Sequence, residues 1–557
     1  MIRKLRIYIS LVAITCGCQA SAQLLLDRVT HPLSPQEDRS LTDNVDISLS
    51  SSCALYANPV FTEWRNSNDT MLRRRTAIVY AGLASGDGKG DFIPYEGDGS
   101  SDYRIGAYGE YTTPRSGTLS GSIQYAQGEH RNIGWSAMRL PELYFPYIST
   151  DSCGGDFKFD SYYAEGNYAL KVQQWVLGVK GSFYGEQAYR LSDPRALNNT
   201  TWLRFNMGAA RDVNGHLLML DWGYGRNKQH MQLRYWRPGQ QDRFFVCYGF
   251  GLYDTRQSGV SFGKSRMYYV DEYNARLQYL SPQRKKLRFH ASLAYAYQHM
   301  ETEESDIYNL YESCSHHLTP MLSLAYDPKN SWRFELMVQV DLMLRKGYEN
   351  IIEEYLIDNA NNIYDFRTID TRQNYSRNTG RMEVALRTAK NMGRFELSLQ
   401  GGIATDRYDE KYKIGDYRIN VRRLTSHIKA GVNWQGSRNA LAFNLVYARQ
   451  RIGSHDYHVQ MQNQKITHLD FQHAFAPYAY RTANLHKFIA DVTWQHQLKS
   501  VIVGIKGKAY LANGHRLENA CYTDVIGFPS TAPMISAYPD KHNEQWGSTS
   551  FFVSKRV

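Results

Sequence analysis

Ser331-Trp-Arg-Phe-Glu-Leu-Met-Val-Gln-Val-Asp-Leu-Met-Leu-Arg-Lys346 alternates without a break. Trp332, Phe334, Leu336, Val338, Val340, Leu342 and Leu344 are large and apolar. The residues between them are Arg333, Glu335, Met337, Gln339, Asp341, Met343 and Arg345, mostly polar or charged. A period of two is that of a strand with one apolar and one polar face, whereas a helix would scatter both sets around its circumference. The apolar face runs from 332 to 344, roughly 43 Å at about 3.3 Å per residue. Tilted near 45°, that is about 30 Å of height, the thickness of a bilayer core. The pattern predicts a transmembrane β-barrel strand, with lipid on the Trp332 side and a wet lumen on the Arg333 side.

The same alternation recurs outward from this stretch, from about Leu72 to Val557. Tyr103, Ile105, Ala107, Gly109 and Tyr111 make one such face, Trp175, Leu177, Val179, Gly181 and Phe183 another, and Leu287 to Tyr297 a third. Short turns are read at Thr112 to Arg115, at Asn214-Gly215 (a strong hairpin signal), at Ser281 to Lys286, and at 327–330, 389–392, 435–439 and 497–500. Between them lie long polar stretches at 85–101, 128–155, 185–200, 227–265, 299–313, 347–371, 404–416, 453–481 and 513–544. Short turns at one end and long loops at the other are the asymmetry of an outer-membrane barrel. The expected fold is therefore all-β: an antiparallel up-and-down barrel of about 18 strands (16–20), its turns periplasmic and its loops extracellular. A hairpin near 229–253 is the alternative that would raise the count to 20. Repeated long strands exceed the roughly 5–6 residues usual in soluble sheets, and no propeller-type repeat is present.

Composition agrees. The 557 residues include 42 Tyr and 42 Gly but only 16 Pro. Mean hydropathy is −0.53, which suits a barrel whose strands are half polar. Arg3, Lys4 and Arg6, the apolar run Ile7 to Ile14 and the small residues Ala20-Ser21-Ala22 form an export signal, with cleavage expected before Gln23. Cys16 and Cys18 supply a lipoprotein alternative, which Thr15 disfavours. Removing residues 1–22 takes the formal charge from +11 to +8, since they hold three basic and no acidic side chains. Cys53, Cys153, Cys247, Cys314 and Cys521 remain, too far apart for a zinc site or a disulfide framework. One or two loop disulfides and unpaired thiols are both compatible with them. Residues 23–71 read as a periplasmic lead-in or small N-terminal plug. That is too short for the folded plug of energised receptors. Residues 72–557 form the barrel.

The stretch Leu143-Tyr-Phe-Pro-Tyr-Ile-Ser-Thr-Asp-Ser-Cys-Gly-Gly-Asp156 and the following Tyr162 to Ala169 resemble an uncharacterised, tyrosine-rich outer-membrane barrel family of Bacteroidota. The resemblance implies fold and location over nearly the whole mature chain, and no activity. Asn58-Pro59-Val60 is similar to the Asn-Pro-Ala of fatty-acid-transporter barrels, which implies Asn58 and Pro59 as part of a hatch that fills the lumen.

Lumen-facing charges are the main site candidates: Arg333, Glu335, Asp341 and Arg345; Arg381, Glu383 and Arg387; Arg394 and Glu396; Lys506 and Lys508. Arg423, His427 and Lys429 continue the basic side. Interior charges hold water and tune selectivity, and the basic excess points to anions. Cross-strand ion pairing that locks the barrel shut is the structural alternative. His455, His458, His468 and His473 lie in one loop and are weak metal candidates. Cys314, His316 and His317, near His299 and Glu301, form a second cluster. No cofactor is indicated. No nucleophile-elbow, zincin or phosphate-loop motif stands out, so an outer-membrane hydrolase ranks third. The expected function is passage or uptake of a solute. The second reading is a non-conducting scaffold for a surface lipoprotein or an uptake or secretion complex. Membrane lipids are the expected partners, and nucleic acid is not.

Overall fold

The computed structural model describes residues 58–68, 75–89, 95, 97–113, 115–151, 153–234, 236, 244–249, 252–254, 265–282, 286–304, 309–328, 332–358, 360, 363–460, 468–469, 478, 480–498, 501–515, 525–526 and 541–556. The signal, Cys53, Cys521, His473 and most of the lead-in lie outside them.

A closed wall dominates the molecule. Its first strands are β1 (Arg75–Lys89), β2 (Gly99–Thr113), β3 (Gly117–Ile133), β4 (Gly155–Val172), β5 (Trp175–Arg190) and β6 (Arg195–Val213). Next come β7 (His216–Arg234), β8 (Ser265–Leu280), β9 (Leu287–Glu304), β10 (Tyr311–Tyr326), β11 (Arg333–Asp358) and β12 (Ile363–Met392). The last six are β13 (Phe395–Tyr412), β14 (Tyr417–Gln435), β15 (Asn439–Gln460), β16 (Asn484–Leu498), β17 (Val501–His515) and β18 (Lys541–Arg556). Each pairs antiparallel with its sequence neighbours. β1 then pairs with β18, Val79 opposite Val553, and the barrel closes with no free edge. Closure satisfies every backbone group that a lipid environment would otherwise strand.

The opening stretch lies in β11. Trp332, Phe334, Leu336, Leu342 and Leu344 are exposed outward, while Met337 and Arg345 are buried inside. Outward apolar residues such as Leu203, Leu293, Ile403 and Phe443 continue this band around the wall. No described helix is long and apolar enough to cross a membrane. The wall crosses with strands, and this is a transmembrane barrel. At the Asn214-Gly215 turn both residues have positive φ, 56° and 84°, the twist that a two-residue hairpin requires.

The polar stretches are shorter as loops than the sequence suggests. The stretch 347–371 is mostly sheet: β11 and β12 stay paired up to Asp358 and Ile363, through register shifts at Gly347/Tyr348, Ile351/Ile352 and Leu356/Asp358. Likewise, 185–200 shrinks to a connection between Arg190 and Arg195. Polarity marks where a strand leaves the bilayer, not where it leaves its partner. The 229–253 hairpin is not wall. Phe244–Cys247 and Leu252–Asp254 instead join Ser149–Asp151 and His468–Leu469 in a separate four-stranded sheet.

Candidate functional site

Two segments occupy the barrel, one near each end. At the short-turn end stands α1 (Phe61–Asn68), entered through Asn58-Pro59-Val60. The Asn58 side-chain oxygen accepts from Val60 N (3.2 Å), and its carbonyl accepts from Phe61 N (3.3 Å), so it starts the helix as asparagine commonly does. Its Nδ2 reaches across to donate to Asp221 Oδ1 on β7 (3.1 Å) and Gln278 Oε1 on β8 (3.2 Å). Asn167 of β4 donates to the Pro59 carbonyl (3.1 Å). Two glycines make the seat. A Cβ at Gly208 would stand 2.7 Å from Pro59 Cγ, and one at Gly178 would stand 3.0 Å from Val60 Cγ1. Val60 and Phe61 pack against Ala169, Val176, Ala210 and Leu217.

Farther along the helix, Glu63 accepts from Thr118 Oγ1 (2.6 Å), Trp64 Nε1 donates to Asp212 (2.9 Å), and Asn66 Nδ2 donates to Glu110 and Thr112. Burial raises the Glu63 carboxyl above its ordinary value, against the opposing hydrogen bond from Thr118 and the charge of Lys171. Every one of these contacts is to the wall between β2 and β8. An eight-residue helix does not hold itself in water, so this one-sided seat is what keeps it folded.

The loop-end insert is residues 134–154. Leu143, Tyr144, Phe145, Tyr147 and Ile148 are all buried within one aromatic cluster. Tyr144 donates to Asn227 on β7 (2.7 Å) and lies 4.8 Å from the Tyr268 ring on β8. Tyr147 stacks on Tyr311 of β10 at 4.8 Å. Arg345 of β11 donates to the carbonyls of Glu142 (2.8 Å) and Phe145 (3.2 Å) and to Ser315 Oγ (2.8 Å). Arg377 of β12 pairs with Glu142. On the near side, Arg190 of β5 meets Asp151 at 2.6 Å with both side chains at 0% exposure, and Arg139 pairs with Glu186. The insert is thus tied from β5 round to β12. Ser149–Asp151 feeds the four-stranded inner sheet, and burial pushes the Cys247 thiol of that sheet up to about 12, leaving it unreactive.

The structure disperses the predicted charges among several roles. Arg333 pairs with Glu396 (2.7 Å), and Glu335 accepts from Ser323 (2.9 Å). Asp341 faces inward opposite Arg381 in register, and Arg387 faces inward opposite Glu335. Arg381 bridges Glu383 and Asp406, 3.1 Å to each, and His427 Nε2 lies 3.8 Å from Glu383. Lys506 and Lys508 point inward on β17, half-buried. Arg345 does not border water. It is 1% exposed, because the insert folds over it. Arg394 is not wall either: Met392 pairs with Phe395, so Arg394 sits exposed in the two-residue turn.

Among the described residues, the candidate histidines do not converge. His455 Nδ1 is 2.6 Å from the Tyr478 hydroxyl, and His458 is 4.0 Å from Asp416. His468 pairs by backbone with Tyr253. Cys314 and His316 face outward while His317 faces inward, since alternation separates neighbours. His299 stands 3.6 Å from Glu301 and 3.5 Å from Glu312. Among the described residues no His/Cys/Asp/Glu group is arranged for a metal, and Cys247 and Cys314 are free thiols.

A family model matches residues 70–533, and its description is a family of unknown function, DUF6850. The chain belongs to that family. No curated protein matches it. Among solved structures, the copper transporter OprC is similar at TM-score 0.41 and 9% identity, over 86% of this chain and 80% of that one. The FrpB iron transporter from Neisseria meningitidis gives 0.40 and 8%, over 89% and 83%. BauA, the ferric preacinetobactin receptor from Acinetobacter baumannii, gives 0.37 and 9%, over 86% and 80%. At such identities the likeness does not reach the side chains that line this DUF6850 barrel. Sequence reasoning missed the loop-end insert altogether. Its signal was there in Leu143 to Ile148, a run too apolar for a solvated loop.

Proposed function

We propose that the protein is an outer-membrane barrel that passes a solute, with a preference for anions, and that residues 58–68 are its removable hatch. The one-sided seat of α1 carries this reading. The helix occupies the β2–β8 flank of the lumen, while on the opposite flank Arg387, Lys429, Lys506 and Lys508 face inward and stay partly open to water. A wet, basic wall beside a weakly self-supporting plug is the chemistry of a gated anion path. Deletion of the plug alone would widen that path without touching the wall. The outer-membrane location is supported by the outward apolar band, the export signal and the turn-and-loop asymmetry.

The second reading, a non-conducting scaffold for a surface lipoprotein or an uptake or secretion complex, is favoured by one observation. The aromatic cluster around the loop-end insert extends as far as Tyr375, Tyr412 and Tyr457 on β12, β13 and β15, so it fills part of the lumen at that end. Swelling of proteoliposomes separates the two. The transport reading expects faster entry of small anions than of cations of equal size, and loss of that bias in a Lys506→Glu, Lys508→Glu variant by about threefold or more, a difference of about 0.7 kcal/mol or more. Equal and negligible entry of all solutes, with and without the hatch, supports the scaffold.

A further inference from the structure

The outer surface of the wall carries a charged feature that the lumen does not explain. On β13, β14 and β15 the outward positions below it are apolar: Leu399, Ile428 and Leu445 are each close to half exposed. Moving toward the loop end, the same outward face turns basic, beginning at Arg407 on β13, Arg422 on β14 and Arg449 on β15. Arg449 lies opposite Ser426 and Arg451 opposite Leu424. Arg407 then stands directly opposite Arg422, and Lys411 directly opposite Arg418. All six are exposed. Like charges placed opposite each other on one face destabilise a sheet, and here the arrangement occurs twice, on either side of the rung that sets Asp409 opposite Asn420.

Carboxylates within the patch offset only part of it. Asp409 pairs with Arg407, and Asp456 pairs with Arg418 at 3.0 Å. Arg422, Arg449 and Arg451 make no ion pair with a described residue. The outward charge differs round the wall, and on β7 Arg226 is offset by Asp271 (3.3 Å). On β9 and β10, the outward residues at the loop end are Glu301 and Glu312, opposite each other.

We infer that the outward face of β13–β15 binds the phosphorylated headgroup of an outer-leaflet glycolipid. The apolar band below holds acyl chains at membrane depth, and the arginines stand at the height where a membrane lipid carries its phosphates. Guanidinium groups bind phosphate in bidentate fashion, and a phosphate between Arg407 and Arg422 replaces their repulsion with two attractions. The inference rests on the outer-membrane reading above, with loops outside, but not on transport.

The test uses the full-length barrel in detergent, with bisphosphorylated lipid A as the probe, against dephosphorylated lipid A and phosphatidylglycerol. The expected result is preferential binding of the phosphorylated lipid A. A variant combining Arg407→Gln, Arg422→Gln, Arg449→Gln and Arg451→Gln weakens that binding by about tenfold or more, given the contribution of each basic residue near an anionic surface. Glu301→Gln with Glu312→Gln leaves it unchanged. The corresponding four Arg→Lys substitutions keep the charge and the folded, heat-modifiable form but lose the bidentate geometry, and weaken binding by less than the glutamine variant does. Undiminished binding by the glutamine variant would overturn the inference. So would equal binding of dephosphorylated lipid A or phosphatidylglycerol. Extraction of the wild-type protein from membranes by carbonate would instead overturn the outer-membrane reading on which it stands.

Discussion

The two segments inside the barrel are held in opposite ways. Residues 134–154 are tied to strands from β5 to β12 by buried arginines, by stacked tyrosines and by a sheet of their own. Among the described residues, 58–68 are held by the β2–β8 flank, through hydrogen bonds to amide, hydroxyl and carboxylate groups and a small apolar seat. A buried ion pair adds little net stability, but removing one partner strands the other charge. The loop-end insert is therefore fixed in a single arrangement, and its loss would disrupt the wall. A hydrogen bond contributes about 1 kcal/mol net, or about 1.5–3 kcal/mol where it meets a charged group, and none of those that hold α1 is a buried ion pair. On the proposed reading the hatch leaves its seat at a smaller cost than the loop-end insert would, and the wall keeps its fold without it.

The most damaging way to break this contrast is at the fixed end. Arg190→Met leaves the fully buried Asp151 carboxylate unpaired and should destabilise the folded barrel by about 3–5 kcal/mol. Heat-shift electrophoresis would register this as a markedly lower transition temperature. A loss as small as that of a surface substitution would mean that the insert is not tied as described. At the removable end, Gly208→Val drives a side chain into Pro59 and should unseat the hatch at a cost of about 1–3 kcal/mol. The wall should keep its folded mobility, while protease access to residues 58–68 rises. The smallest effect concerns pH. Because burial raises the Glu63 carboxyl, the seated state favours its protonated form. The stabilisation is complete at low pH and is lost as pH rises through the raised value. Protease access to the hatch should increase with pH in the wild type and stay flat in Glu63→Gln.

Much of this architecture is legible in the chain. The unbroken alternation of Trp332 to Leu344 reports a two-faced strand because lipid and lumen impose opposite chemistry on neighbouring residues. The Asn214-Gly215 turn reports its hairpin because few other residues tolerate its φ values. Asn58-Pro59 also pointed to the lumen. The seat for these residues was not readable. Gly178 and Gly208 lie far from Pro59 in sequence, and only the closed wall brings them together. The same is true of the inner sheet, whose strands at 149–151, 244–247, 252–254 and 468–469 meet across most of the chain. Arg345 reads as a lumen charge in its strand pattern, since alternation assigns a face and says nothing about what folds over it. Arg394 failed for a different reason: a two-residue turn interrupts the period at the point where the pattern appeared to continue.

The central claim, that the hatch is removable and the wall beside it conducts, has a direct test in single-channel recording across planar bilayers. The full-length protein should be closed for most of the record, with rare openings. A chain lacking residues 58–68 should fold to the same heat-modifiable barrel and conduct steadily, passing anions in preference to cations. A folded, hatchless barrel that remains closed at every voltage would contradict the account.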